Sequence, residues 1–156
     1  MINDFINRFQ QYNPIIRTKN DCGYDWLYEE NQCVEIPNKN PNKNLKIEFQ
    51  HNGEITLIFC CFHAHYSIED GVYEYMCQQI ADILNNKSCS AVLFCGEDKE
   101  WKGSTLLKRE EVQLPHKEIF SFILENPKLK NELLSKGGEA RFDFWDNEFS
   151  IKFEVE

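Results

Sequence analysis

Two histidines, His63 and His65, follow the most apolar stretch of the chain. We expect residues 54–62 to form a strand covered on both faces, so that the two imidazoles at its end point to the same side. Two imidazoles and a carboxylate or thiolate are a ligand set that holds zinc, and Cys61 and Glu69 are the candidate third ligands. One hypothesis is therefore a small metal-dependent enzyme or metal-binding domain.

Other features of the sequence argue against a metal site. His51 lies near the turn at the far end of the same predicted hairpin, a strand length from the pair, and is a poor third ligand. Neither Cys-x-x-Cys nor His-Glu-x-x-His occurs. Histidines on strands are more often packed or hydrogen-bonded than bound to metal. We therefore predict no resident metal and no cofactor, and keep the site of His63 and His65 as an alternative.

A cysteine nucleophile is a second possibility, since Cys60 and Cys61 stand beside His63. On a strand, Cys60 and His63 point to opposite faces, whereas Cys61 and His63 share one. No glycine-rich turn follows that would build an oxyanion hole, and phosphate-binding loops of the Gly-x-Gly-x-x-Gly or Walker type are absent. We predict no catalytic residue of this kind.

Adjacent carboxylates recur along the chain, at residues 29–30, 69–70, 97–98 and 110–111. Acid–base catalysis needs two carboxyl groups held in different environments. Carboxylates in charged, solvated turns share one environment. We therefore interpret these pairs as solvated surface charge and not as a catalytic site.

The elements that position these side chains begin with a short helix near residues 1–11 and an irregular arm over residues 15–44. Asn52-Gly53 between two alternating segments predicts a hairpin with a type I′ turn. The later predicted elements are a helix ended by residues 85–86, strands over 90–95 and 104–112, helices over 115–124 and 128–135, and a hairpin around residues 146–147.

This order of elements predicts an α+β fold, in which an antiparallel sheet is built from β-hairpins and helices pack mainly on one face. A chain of 156 residues is one domain by its length. We divide residues 1–156 into an N-terminal helix and irregular arm over 1–44 and an α+β body over 45–156.

The composition excludes some partners. The chain carries 26 acidic and 17 basic side chains, for a formal net charge of −9. Such a surface repels phosphate backbones and anionic lipids, so we predict no nucleic-acid partner and no membrane partner. It suits a protein that docks on a cationic partner.

The cysteines indicate the compartment. Seven cysteines are present, an odd number, and the first residues lack the basic and apolar segments of a signal peptide. No apolar run approaches the roughly 20 residues of a membrane-spanning helix. We therefore expect reduced thiols and a cytoplasmic location.

One stretch of the chain, residues 48–112, resembles a known class of proteins. A hairpin ending in Phe-x-x-x-His-x-His (59–65) is followed by a helix ending in Ile-x-x-Ile-Leu-Asn (80–85), a strand of the Ala-Val-x-Phe type, Gly-Ser-x-Leu-Leu (103–107) and Glu-Glu-Val (110–112). This pattern resembles small immunity proteins found beside bacterial polymorphic and contact-dependent growth inhibition toxins. The resemblance implies a non-enzymatic cytosolic inhibitor that binds one toxin domain, often a basic nuclease.

Within that hypothesis, the acidic surface matches a cationic cleft of the toxin and speeds association. We predict an aromatic anchor with a charged rim, formed by Trp101 and by Glu97, Asp98, Glu100, Glu110 and Glu111. Acids of the arm, Glu29, Glu30 and Glu35, are an equally suitable set. An adaptor domain without a toxin partner is a further alternative that the sequence does not separate from an immunity protein.

Overall fold

The structure is a computed structural model that describes residues 1–69, 71–112 and 127–155, without the side chains of Lys130 and Val155. Helices and antiparallel strands both occur in these ranges, so the predicted α+β class is confirmed. The predicted helix over 115–124 lies outside them. The chain divides into two compact units, Met1–Gln79 and Ile80–Glu156. The prediction of one domain over residues 1–156 stays a prediction.

The first unit contains a five-stranded sheet in which each strand pairs with the next along the chain. Its strands are β1 (Ile15–Arg17), β2 (Gln32–Ile36), β3 (Leu45–Phe49), β4 (Glu54–Phe59) and β5 (Phe62–Ser67). Side chains alternate between the two faces of a sheet, and the buried Ile47 and Leu57 oppose each other on the apolar face. Helix α1 (Ile2–Arg8) packs on this face through Phe5, whose ring centroid lies 5.7 Å from that of Phe49.

The segment predicted as an irregular arm contributes two of these strands, β1 and β2, which is a correction to the prediction. β2 shows no alternation because both of its faces are covered: Val34 and the opposite-facing Glu35 are each buried. β1 has three residues, too few to show a period. The predicted arm therefore forms one edge of the sheet.

Of the two hairpin turns on either side of β4, only one has a recognisable signal in the sequence. The hairpin at Asn52-Gly53 is confirmed, although only Gly53 has positive φ (87°), so the turn is not type I′. The predicted strand over 54–62 instead ends at Phe59, and Cys60, with φ 53°, begins a two-residue turn into β5. An apolar cysteine pair gives no turn signal, so the sequence missed this reversal.

Helix α2 (Val72–Leu84) begins later than expected, because Ser67 is still part of β5. Its predicted end at Asn85-Asn86 is confirmed: Asn86 is left-handed, with φ 56°. The amide of Lys87 donates to the Asp82 carbonyl at 2.8 Å and that of Asn86 to the Ile83 carbonyl at 2.9 Å. This pair of hydrogen bonds is a Schellman motif, which satisfies the last carbonyls of the helix.

The second unit contains a separate four-stranded sheet in the order β7-β6-β8-β9. Its elements are β6 (Ser88–Cys95), β7 (Glu100–Lys108), α3 (Arg109–Val112), α4 (Pro127–Lys136), β8 (Gly138–Asp143) and β9 (Ile151–Val155). Two sheets replace the one that we predicted, because hairpin patterns determine only neighbouring pairs of strands. The predicted hairpin around residues 146–147 is confirmed by the pairing of β8 with β9.

The apolar face of the four-stranded sheet is covered by α4. Leu133 of that helix is buried in one cluster with Leu93, Ala140 and Phe142. Gly137 ends the helix with φ 70°, and its amide donates to the Leu133 carbonyl at 2.8 Å, as the glycine pair predicted. Phe94, Glu139 and Arg141 lie on the opposite face of this sheet.

Candidate functional site

The predicted aromatic anchor, Trp101, is the second residue of β7 and is 50% exposed. The sequence placed it in a turn, whereas the structure places it in a strand, opposite Phe94 of β6. Paired residues of antiparallel strands share a face. Trp101 and the partly exposed Phe94 are therefore neighbours at one end of the sheet.

The charges beside Trp101 are mixed. Glu97 and Asp98 are exposed in the turn between β6 and β7 and form no ion pair with any described residue. Glu100 is paired with Lys102, whose Nζ lies 2.9 Å away. The two turn acids are thus the carboxylates that remain available beside the aromatic pair.

A buried carboxylate, Glu139, lies on the same face, opposite Phe94 on β8. Three cations surround it: Lys99 Nζ at 3.1 Å, Lys152 Nζ at 2.6 Å, and the Arg141 guanidinium in direct contact. Burial by itself raises the pKa of Glu139, but hydrogen bonds from these cations outweigh it and lower the pKa to about 2. We call these four residues the Glu139 cluster. The sequence analysis missed it, since an alternating strand glutamate is normally at the surface.

Glu110 and Glu111 lie at the other end of β7, in α3. The nine residues of β7 span roughly 30 Å at about 3.3 Å per residue. The structure therefore does not bring the six predicted residues into one cluster. Glu111 also has a local role, because its Oε2 accepts a hydrogen bond from the Lys108 amide at 2.6 Å, as the acid of a capping box does.

A polar depression of about 360 Å³ adjoins Glu110. It is lined by three basic residues together with acids and amides: Lys87, Lys108, Arg109, Asp82, Glu110, Asn85 and Asn86. The Arg109 guanidinium lies 4.1 Å from the centroid of the Phe149 ring. Acids and bases balance closely here, so this end of β7 is not the acidic surface that we predicted.

The acids of the arm separate into two kinds. Glu29 and Glu30 are exposed, at 3.5 Å from Lys19 and 3.6 Å from His51. Glu35 is buried in β2, at 5% exposure, which excludes it from a binding surface as it stands. That part of the alternative set is therefore corrected.

Glu35 has its own hydrogen-bond network. The Tyr24 hydroxyl donates to one of its oxygens, and Arg17 Nη2 donates to the other at 2.9 Å. Burial by itself raises the pKa of Glu35, but donors on Tyr24, Arg17 and Asn44 outweigh that effect and lower it. Both oxygens of the Glu35 carboxylate therefore accept hydrogen bonds from residues that cover the polar face of the sheet.

His63 and His65 lie on β5, which is an edge strand of the five-stranded sheet. They share the polar face, as predicted, with ring centroids 5.6 Å apart. Nδ1 of His65 lies 2.7 Å from Oε1 of Glu54 and 3.2 Å from Oγ1 of Thr56. The pairing of β4 with β5 brings Glu54 and Thr56 next to His65. Because the sequence analysis did not predict the turn at Cys60, it did not predict these partners.

The proposed third ligands are not assembled with the histidines. Within residues 1–69, 71–112 and 127–155, no group of three His, Cys, Asp or Glu side chains is arranged to hold a metal ion. Cys61 lies in the turn before β5, and Glu69 lies beyond its end.

No helix in the described part of the chain is both long enough and apolar enough to cross a membrane. Comparison of the chain with protein-family models, with curated proteins and with solved structures found no match.

Proposed function

We propose that this protein is a non-enzymatic inhibitor of the immunity type, which acts in the cytoplasm by binding a cognate toxin domain and covering its active site. The observation that carries this proposal is the half-exposed Trp101 beside Phe94, with the exposed acids Glu97 and Asp98 in the adjoining turn. The sequence resemblance over residues 48–112 supports it. We expect a basic toxin domain, such as a nuclease.

An aromatic side chain held on a strand is well suited to anchor a protein interface. Strand pairing fixes the backbone of Trp101, and half of this large residue is exposed to a partner. Tryptophan is among the residues that most often dominate binding energy. We therefore place Trp101 at the centre of the interface.

The acids act mainly on the rate of association. Glu97 and Asp98 extend the field of a chain whose formal net charge is −9, and such a field accelerates the encounter with a basic partner. Glu100 belongs to the same end, but Lys102 neutralises part of its charge. Glu110 and Glu111, at the far end of β7, are assigned to the periphery.

The first test is affinity capture from the native cell with salt raised in steps. Wild-type bait is compared with Trp101→Ala and with Tyr28→Ala, a control that removes another exposed aromatic side chain, 75% exposed in the first unit. We expect one basic protein, retained by wild type and Tyr28→Ala and weakened at least about 30-fold by Trp101→Ala, the loss typical of a binding hot spot. Equal weakening by both variants would contradict the assigned surface.

The second test separates an inhibitor from an adaptor. The captured protein is expressed in a sensitive host with and without this chain. If this chain is an immunity protein, the captured protein arrests growth when expressed alone. Wild-type chain should then relieve the arrest, and Trp101→Ala should relieve it less. A captured protein that is harmless alone would favour the adaptor alternative.

A further inference from the structure

The imidazoles of His63 and His65 point to a metal site that the proposed function does not use. We propose that these two side chains together bind a divalent transition-metal ion, with one nitrogen each and water in the remaining coordination positions. Imidazole is a preferred ligand of Zn²⁺, Ni²⁺ and Cu²⁺. The inference is independent of any toxin partner.

The spacing of the rings fits a shared ion. Metal–nitrogen bonds of about 2.1 Å in tetrahedral geometry place two imidazole centroids roughly 5 Å apart. The observed separation is 5.6 Å, with the rings at 85° to each other. Both side chains are exposed on one face of an edge strand, so an ion can reach them from solvent.

Glu54 prepares His65 for this role. A carboxylate only accepts hydrogen bonds, so in the neutral imidazole the 2.7 Å contact with Oε1 favours the tautomer that carries its proton on Nδ1 and its lone pair on Nε2. Gln50 Nε2 donates to the same carboxylate oxygen at 3.1 Å and holds it in place. A carboxylate behind a histidine is the usual outer support of a metal-bound imidazole.

The local charges do not oppose an ion. The imidazole of His63 contacts the His65 ring and makes no side-chain hydrogen bond with any residue that the structure describes. The basic side chain nearest in strand register, Lys46, is held over the Tyr24 ring, with Nζ 4.8 Å from the centroid. The net charge of −9 favours cations over the surface as a whole.

Two protein ligands make this a surface chelate rather than a structural or catalytic zinc centre, which takes three or four. Such a site leaves several positions on the ion open to water.

The test is titration of the full chain with Ni²⁺ under a non-chelating reductant, monitored by calorimetry. The variants are His63→Gln, His65→Gln, Glu54→Gln and the control His51→Gln, which removes an exposed imidazole near Glu30 instead. We expect Ni²⁺ to bind at least tenfold more weakly to His63→Gln and to His65→Gln. Glu54→Gln should weaken binding about tenfold, as the loss of other outer-shell partners does. His51→Gln should leave the affinity unchanged.

Two outcomes overturn the proposal. One is Ni²⁺ affinity that survives in a His63→Gln/His65→Gln double variant, since the ion then binds elsewhere. The other is loss of binding in Cys61→Ser, because the exposed thiolate of Cys61 would then be a required ligand. The circular dichroism spectrum of each variant confirms that the fold is retained, as expected for exposed side chains.

Discussion

Both sheets bury glutamate side chains on the face opposite the apolar core, and two of these carboxylates, Glu35 and Glu139, are stabilised differently. Glu35 is 5% exposed and Glu139 is 6% exposed. Glu35 is held by one cation, Arg17, together with neutral donors of Tyr24 and Asn44. Glu139 is held by three cations.

The difference lies in what the donors can do when the carboxylate is lost. Tyr24 is buried, at 4% exposure, so little of the residue contacts water when the acceptor of its hydroxyl is lost. The cations of the Glu139 cluster have side chains that are 37% to 53% exposed and turn to solvent readily. Equal burial of two carboxylates therefore does not imply equal dependence on them: Glu35 is held by one cation and by neutral donors, whereas Glu139 is held by three cations.

The largest expected effect is at Glu35. Glu35→Met keeps a side chain of similar length but removes every acceptor, leaving the buried Tyr24 hydroxyl and Arg17 unpaired. We expect the free energy of unfolding of the first unit to fall by about 3 kcal/mol. Urea unfolding followed by hydrogen exchange of β2 measures it. Glu30→Met, at an exposed site, is the control and should change little.

If Glu35→Met lowers the free energy of unfolding by less than about 1 kcal/mol, the network does not depend on the Glu35 carboxylate. The donors of Tyr24 and Arg17 would then find other partners without cost, and the contrast with Glu139 would disappear.

The matching substitution in the second unit, Glu139→Met, should cost less, about 2 kcal/mol, because the three cations gain hydration as they separate. Its distinguishing feature is the response to salt. Salt screens the attraction to Glu139 in wild type and so lowers stability, whereas in the variant it screens repulsion among Lys99, Arg141 and Lys152 and raises stability.

The test is to measure the free energy of unfolding at low and high sodium chloride, using hydrogen exchange of the β8 amides. Glu148→Met, at an exposed acid in the turn before β9, is the control and should keep the wild-type sign. A variant of Glu139 with the wild-type salt dependence would show that the cluster is held by packing and not by charge.

The sequence predicted the elements whose ends carry local signals. Asn52-Gly53, Asn85-Asn86 and Gly137 each mark a turn or helix end that the structure confirms. These signals act within a few residues, so one sequence is enough to recognise them. The α+β class followed from the same elements.

The features that were missed depend on contacts distant in sequence. The turn at Cys60 lies inside an apolar run, and its positive φ is imposed by the pairing of β4 with β5. Glu139 alternates like a surface residue, and its burial is evident only when Lys99 and Lys152 approach from other elements. For the same reason, the predicted rim of Trp101 joined Glu97 with Glu110, which the length of β7 separates.

The smallest effect, and the one that follows from charge alone, is the response to acid. The pKa of Glu139 is about 2 in the folded chain, against about 4.3 for an unperturbed glutamate. Because the folded value is the lower one, the stabilisation is fully present above the unfolded pKa and is lost as pH falls from about 4.3 towards 2. We expect this carboxylate to account for about 1 kcal/mol of the stability lost between pH 6 and pH 3, after allowance for solvent screening at the half-exposed lysines.

Urea unfolding of wild type and Glu139→Met across that range measures this contribution. The variant should lose less stability than wild type, so the two curves of unfolding free energy against pH converge at low pH. Parallel curves would mean that Glu139 ionises in the folded protein as it does in the unfolded chain, and the cluster would then contribute no pH-dependent stability.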